Sequence, residues 1–284
     1  MMDAGDGQQL SFFSQGVVLH SELLERTSAR SVDRQGETLL GMINQPCRDG
    51  LLTDLEERLL SGAGFALATM NLDHLVKLRR APGFRMAYRR HSHVVADGRP
   101  VIWLRRLAGQ PVELMPGSEL IDPLMAMAAR HGVPAGFLGS TPEALARAAE
   151  RLQAAHPRLQ VVAQLSPPFG LDPEGAAADA ALEALAASGA RLVLVALGAP
   201  KQEILAIRAL ERMPGCGFVS VGAGLDFIAG TQRRAPGWMR GLALEWLWRL
   251  LGDPRRLFGR YLACFLILPG LTLAALRMRR GGRG

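Results

Sequence analysis

Arg191-Leu192-Val193-Leu194-Val195-Ala196-Leu197-Gly198-Ala199-Pro200-Lys201-Gln202-Glu203 is the stretch that sets the fold class. Its first seven residues are almost all apolar and rich in leucine and valine, the length and composition of a strand buried on both faces. Gly198 ends the run, and an amphipathic stretch from Lys201 to Arg212 follows at helical spacing. A doubly buried strand that passes at once into a helix is the building unit of a parallel sheet.

Outward from this unit the same alternation continues. Gly64–Thr69, His93–Ala96, Ala135–Gly139, Leu159–Ala163 and Gly217–Val221 also read as strands. Leu72–Arg80, Ile121–His131, Pro142–Ala155 and Glu174–Ala187 read as the helices between them. The pattern predicts an α/β, Rossmann-like, mostly parallel sheet flanked by helices, with ligands received at the carboxyl ends of the strands. Residues 1–45 have weak periodicity and are expected to form a loosely ordered lead-in. Residues 46–230 form the expected α/β catalytic body, and residues 231–284 a helical, basic and apolar appendage expected to contact a membrane.

That appendage holds eleven arginines against two acids, and within it Leu262 to Leu276 form an apolar run expected to be broken in the middle by Pro269 and Gly270. About fifteen apolar residues fall short of the roughly 20 that a spanning helix needs. Trp238, Trp246 and Trp248 precede the run, and arginines flank it on both sides. Indoles and cations around an apolar face describe a segment that lies in a membrane interface, where each arginine gains on the order of 1 kcal/mol near an anionic leaflet. A core helix followed by a solvated tail has the same composition. A long apolar run suits lipid better than a phosphate backbone, so nucleic acid is not an expected partner.

The chain has 284 residues, 49% of them hydrophobic, which is enough for a sizeable core and too little for a polytopic membrane protein. The formal net charge is +7 and the pI about 10.3, and Lys77 and Lys201 are the only lysines. Cys47, Cys216 and Cys264 are odd in number and far apart, so neither a disulfide framework nor a zinc site is expected. Met1 to Leu10 lacks the pattern of a signal peptide, which suits a cytoplasmic protein that approaches the membrane from inside.

Among motifs, no Walker sequence, Gly-x-Ser-x-Gly elbow or His-Glu-x-x-His is present. Gly222-Ala223-Gly224 begins like a dinucleotide fingerprint, but Phe227 stands where the third glycine belongs. His91 and His93 flank Ser92 at a spacing that is more often structural than ligating. Two strand-to-helix junctions have good local chemistry. Ser140-Thr141-Pro142-Glu143 offers an N-cap hydroxyl and a first-turn proline, while Gly198 to Glu203 offers helix-end N–H groups with Lys201 as a full charge beside them. Asp97, at the end of a strand and before Gly98, reads equally as a turn cap or a catalyst. Thr69 and Asn71 end another strand, where they either cap the next helix or line a pocket. Convergence of Thr69 and Asn71, Asp97 and Gln202 on one cleft would favour catalysis.

Taken together, these segments resemble the WecG/TagA/CpsF glycosyltransferases, family 26. The resemblance rests on Ala68-Thr69-Met70-Asn71, Ala96-Asp97-Gly98, Gly117-Ser118-Glu119-Leu120, Phe137-Leu138-Gly139-Ser140, Pro167-Pro168-Phe169-Gly170, Gly198 to Glu203, and Val221-Gly222-Ala223-Gly224 through Asp226. It continues in Arg234-Ala235-Pro236-x-Trp238, Leu244-Glu245-Trp246 to Arg249-Leu250, Asp253-Pro254-Arg255-Arg256 and Arg260-Tyr261. Each piece is ordinary; the ordered set is specific.

The resemblance implies an inverting enzyme that moves a sugar from a UDP-sugar donor to a polyprenyl-diphosphate-linked acceptor at the cytoplasmic membrane face. An N-acetylmannosamine-type donor is favoured, with glucose or a uronic acid as the alternative. It implies Asp97 as the general base, with Thr69, Asn71, Gln202, Lys201, Glu119, Gly198 and Gly222 around the substrate. Arg234, Arg249, Arg255, Arg256 and Arg260 would meet the acceptor diphosphate or lipid headgroups, and the appendage would close over the site. No Asp-x-Asp motif is available to hold a divalent ion on the leaving group, so no metal or cofactor is expected. The sequence departs from the family in Leu114, where an arginine is usual, and in Glu119, where aspartate is usual, which leaves donor identity open. A homo-oligomer is compatible with this reading, and a membrane-docked scaffold without activity is the rival from another class.

Overall fold

The computed structural model describes residues 39–232, 235–236, 239 and 245–281. In chain order the elements are α1 (Arg48–Ser61), β1 (Phe65–Met70), α2 (Leu72–Arg80), α3 (Pro82–Arg90), β2 (His93–Ala96), α4 (Arg99–Leu107), α5 (Gly117–His131), β3 (Ala135–Gly139), α6 (Pro142–Ala155), β4 (Val161–Leu165), α7 (Ala176–Ala187), β5 (Leu192–Ala196), α8 (Lys201–Arg212), β6 (Gly217–Ser220), α9 (Gly224–Ala229), α10 (Glu245–Gly252) and α11 (Pro254–Gly281).

The six strands form one parallel sheet in the order β2-β1-β6-β5-β3-β4. Alternation along each strand sorts the core into two layers. Phe65 and Leu67 of β1 point to the layer of α1, α5, α6 and α9. Ala68 and Met70 point to the opposite layer, where α2, α3, α4 and α11 pack, with α7 and α8 alongside under Val193, Val195 and Phe218. Backbone packing is close at Gly139, whose φ is +110° and where a Cβ would lie 2.4 Å from the Ala196 oxygen. Only glycine suits both constraints.

The outer edge of β2 is closed by residues just upstream of α1. Asn44 Nδ2 donates to Ser92 O, and Asn44 Oδ1 accepts from Val94 N; Leu39, Leu40 and Ile43 are buried nearby. The lead-in expected over 1–45 is therefore packed chain from residue 39, because the edge strand needs covering. Residues 1–38 of that expectation lie outside the described residues.

The largest departure from the sequence reading is α11. The expected break at Pro269 and Gly270 is absent, and one 28-residue helix runs through both. A helix-interior proline costs about 3 kcal/mol. Burial of Leu271, Ala274 and Ala275 on the body opposes that cost. Leu257–Gly281 is in consequence long and apolar enough to cross a membrane, contrary to the shorter run expected.

Candidate functional site

Four neighbouring strands, β2, β1, β6 and β5, end side by side and bring most of the expected residues to one edge. Asp97 leaves β2 half-buried, its N–H donating to Met70 O at 2.8 Å. Gly98 turns the chain away with φ +100°, and a Cβ there would stand 3.8 Å from Asn71 Cβ, so the β1 and β2 ends are in near contact. Thr69 is buried and points to the start of α5, where its Cγ2 would meet a Cβ on Gly117 at 3.2 Å. Asn71 is the N-cap of α2, accepting from His74 N at 3.1 Å, while its own N–H donates to His74 Nδ1 at 3.2 Å. The capping reading of Asn71 holds, and the cap fixes a polar side chain at the strand end.

His74 is buried beneath this cap, and burial, outweighing the nearby Asp73, pushes its pKa down to about 3. Because Nδ1 accepts from Asn71, the neutral ring carries its proton on Nε2, 3.8 Å from Glu203 Oε1. Glu203 is fully buried, and burial raises its pKa to about 7. Its Oε1 accepts from Gln202 Nε2 at 2.8 Å. Gln202 is also buried, and its Oε1 accepts from Gly198 N at 3.2 Å and from Gly222 N at 3.1 Å. One amide oxygen thereby holds the β5 and β6 loops together. Gly198 and Gly222 have φ of +71° and +55°, which permits the loops to turn their N–H groups inward. Tyr88 completes the floor by donating to Thr69 O at 2.6 Å, and burial, with Glu203 and Asp97 nearby, holds its phenol well above the usual range.

Lys201 opens α8 half-exposed, and among the described residues no acidic side chain pairs with it. No side chain caps this helix. The loop before it is tied to the appendage: Lys77 Nζ donates to Ala199 O at 2.9 Å and pairs with Asp73 at 2.7 Å, and Asp73 also takes Arg260 of α11 at 2.9 Å. Arg260 thus faces the site's flank. Arg255 is exposed in the first turn of α11. Arg234 lies outside the described residues, as do the side chains of Arg249 and Arg256.

Glu119 is half-buried in the first turn of α5, beside the Thr69 end of β1. Arg48 reaches this turn, its Nη2 donating to Glu119 O at 2.6 Å and its backbone N to Glu113 Oε2 at 2.7 Å. Leu114 is partly exposed on the segment between them. A guanidinium therefore does stand close to this segment, supplied from α1, a helix the sequence reading did not delineate.

The remaining two strands end differently. Ser140, at φ +61°, donates from Oγ to Asp226 Oδ1 at 2.6 Å, and its carbonyl accepts from Ser166 Oγ at 2.7 Å. Thr141 caps α6 by accepting from Ala144 N at 3.2 Å. His91 and His93 are buried away from this edge, bonded to Ala87 O and to Asp54 respectively. Among the described residues no three His, Cys, Asp or Glu side chains stand close enough to hold a metal ion.

Chemically, the β2-β1-β6-β5 edge offers one carboxylate on a turn, one lysine at an uncapped helix start, and a rigid polar floor. That combination can remove a proton from a hydroxyl at the β2 end of the edge and oppose negative charge at its β5 end. A sequence model described as "Glycosyl transferase WecG/TagA/CpsF family" matches residues 39–282, which takes in the whole sheet and α11.

Proposed function

The chain belongs to the WecG/TagA/CpsF family and is a glycosyltransferase of cell-envelope polysaccharide synthesis; from that premise we propose that it is an inverting enzyme that moves a sugar from a UDP-sugar to a polyprenyl-diphosphate-linked saccharide. The donor is of the N-acetylmannosamine type. The observation that carries this reading is the shared edge, where Asp97, Thr69, Asn71, Gly222 and Lys201 come from four adjacent strands.

Inversion takes one displacement, so one base is sufficient. Asp97 takes the proton of the acceptor hydroxyl as that oxygen bonds the anomeric carbon, and UDP leaves from the opposite face. The leaving diphosphate gathers charge, which Lys201 and the amino end of α8 oppose. This assignment does not call for a divalent ion.

The acceptor's lipid directs attention to α11. Phe258, Leu262, Phe265, Leu266, Leu273 and Leu276 are exposed, and at about 100° per residue they fall within roughly 100° of arc. The opposite face, with Cys264, Leu271 and Ala275, is buried on the body. Exposed Arg255 precedes the stripe, and exposed Arg277 and Arg280 follow it. A helix packed along one side cannot be threaded through a bilayer without its body, so α11 lies in the interface with its outer stripe in lipid. Its first turns, through Arg260 and Asp73, sit next to the site.

The test is to incubate the full chain with a panel of UDP-sugars and a short polyprenyl-diphosphate saccharide in anionic vesicles. One donor should give UDP release and a lipid product heavier by one sugar. Binding of the vesicles without turnover of any donor would favour the scaffold reading.

A further inference from the structure

We propose that Glu203, a residue with no part in the reaction described above, is the positioning residue of the site: its carboxyl oxygen holds the Gln202 amide in the one orientation that clamps the β5 and β6 loops.

The geometry leaves little choice. The Gln202 side chain can point its oxygen or its nitrogen toward Gly198 N and Gly222 N, and only the oxygen can accept from them. The opposite end of the amide meets Glu203 Oε1 at 2.8 Å, and that contact requires the nitrogen. An acceptor at Glu203 therefore fixes the flip of Gln202, and the flip fixes two loop amides. Glu203 is fully buried, and among the described residues its Oε2 has no hydrogen-bond partner. Leaving such a group inside the fold is unfavourable unless something compensates. The compensation is local: His74 Nε2 lies 3.8 Å from Oε1, and Lys77 lowers the cost of charge that Asp73 raises. Through His74 the same carboxyl abuts the residue that caps α2 with Asn71. Glu203 thus stands between the β1 end and the β5 and β6 ends, underneath the loops and without contact to substrate.

The substrate-linked part of this inference rests on the UDP-sugar reading, and the amide part does not. Glu203→Met removes the acceptor and keeps an unbranched chain, while Glu203→Gln keeps an oxygen at the same reach. Backbone amide exchange of the full chain, at fixed pH and without ligand, should be at least about tenfold faster at Gly198 and Gly222 in the Met variant, with Val193 to Val195 still protected. Glu203→Gln should stay within about threefold of wild type. Titration with UDP should show a loss on the order of tenfold in the Met variant, about the same in Gln202→Ala, and no further loss when the two are combined. Wild-type exchange at both glycines in the Met variant, or losses that add in the double variant, would overturn the proposal. If wild type binds no UDP, the donor reading fails, and the amide measurement still decides the role of Glu203. Glu203→Ala carries the same expectations should Met impair folding.

Discussion

The two halves of the sheet's carboxyl edge use their polar residues in opposite ways. At β3 and β4, Ser140, Ser166 and Thr141 bond neighbouring backbone and Asp226, so that half is occupied in holding itself together. At β2, β1, β6 and β5, the hydrogen bonding is pushed underneath, to Gln202, Glu203, His74 and Tyr88. Above that floor Asp97 and Lys201 remain half-exposed. The difference separates two junctions that look alike in sequence. A helix start with its own hydroxyl cap has met its need locally, whereas an uncapped one supported from below has donors to offer.

The sharpest way to break this comparison is Asp97→Asn, which keeps shape and removes the proton acceptor. Turnover with saturating donor and acceptor should fall by about 10²–10⁴, with folding and UDP affinity near wild type. Near-normal turnover would return Asp97 to the role of a turn residue.

Acid should open the two halves in sequence. The pKa of His74 is about 3 when folded, below its ordinary 6.5, because burial disfavours the charged ring. A lowered folded pKa means that this stability is fully present above about pH 6.5 and is lost as pH falls toward 3. His91, held at about 4 by burial, acts in the same direction. The loss from His74 alone is on the order of 3 kcal/mol at pH 4. Glu203, raised to about 7 by burial, regains stability as pH falls from 7 to 4.5 and offsets much of that loss. In Glu203→Gln, which cannot titrate, amide exchange across pH 7 to 4 should show the β1–α2 junction losing protection before the β3–α6 junction, and simultaneous loss would count against a floor specific to one half.

Lys201→Met should weaken UDP binding by about tenfold or more, the size of one charge-assisted hydrogen bond. The remaining affinity should depend less on salt, and an unchanged titration would remove Lys201 from the diphosphate site. The smallest effect belongs to the other junction. Thr141→Ala should lower stability by about 1 kcal/mol through the lost cap, read by chemical denaturation, and leave UDP affinity unaltered. A catalytic defect without a stability change would reverse the assignment of the two halves.

What sequence could reveal follows the same division between local and long-range. α2, α6, α8, β2 and β3 were legible to the residue because each is bounded by its own signals, such as Pro142 or Gly98. α3 and α4 were not, since Pro82–Arg90 and Arg99–Leu107 are short and heavily basic, and only packing makes them helices, α3 against α2 and α8 and α4 under α11. The continuity of α11 was hidden by Pro269, whose cost is met by tertiary contacts. The strand-end residues of the site could be read because strand ends are local features. Glu203, His74 and Arg48 could not, because their roles depend on the sheet order that sets α2 beside α8 and α1 against α5.

A structure of the protein with UDP bound tests the account most directly. The diphosphate is expected within hydrogen-bond reach of Lys201 and of the loops at Gly198 and Gly222, with Asp97 facing the space where the sugar would follow. UDP seated instead over Ser140 and Ser166, or in the concavity lined by Arg130, Arg158 and Gln160 at the sheet's amino edge, would contradict the claim that the β2-β1-β6-β5 half is the one that works.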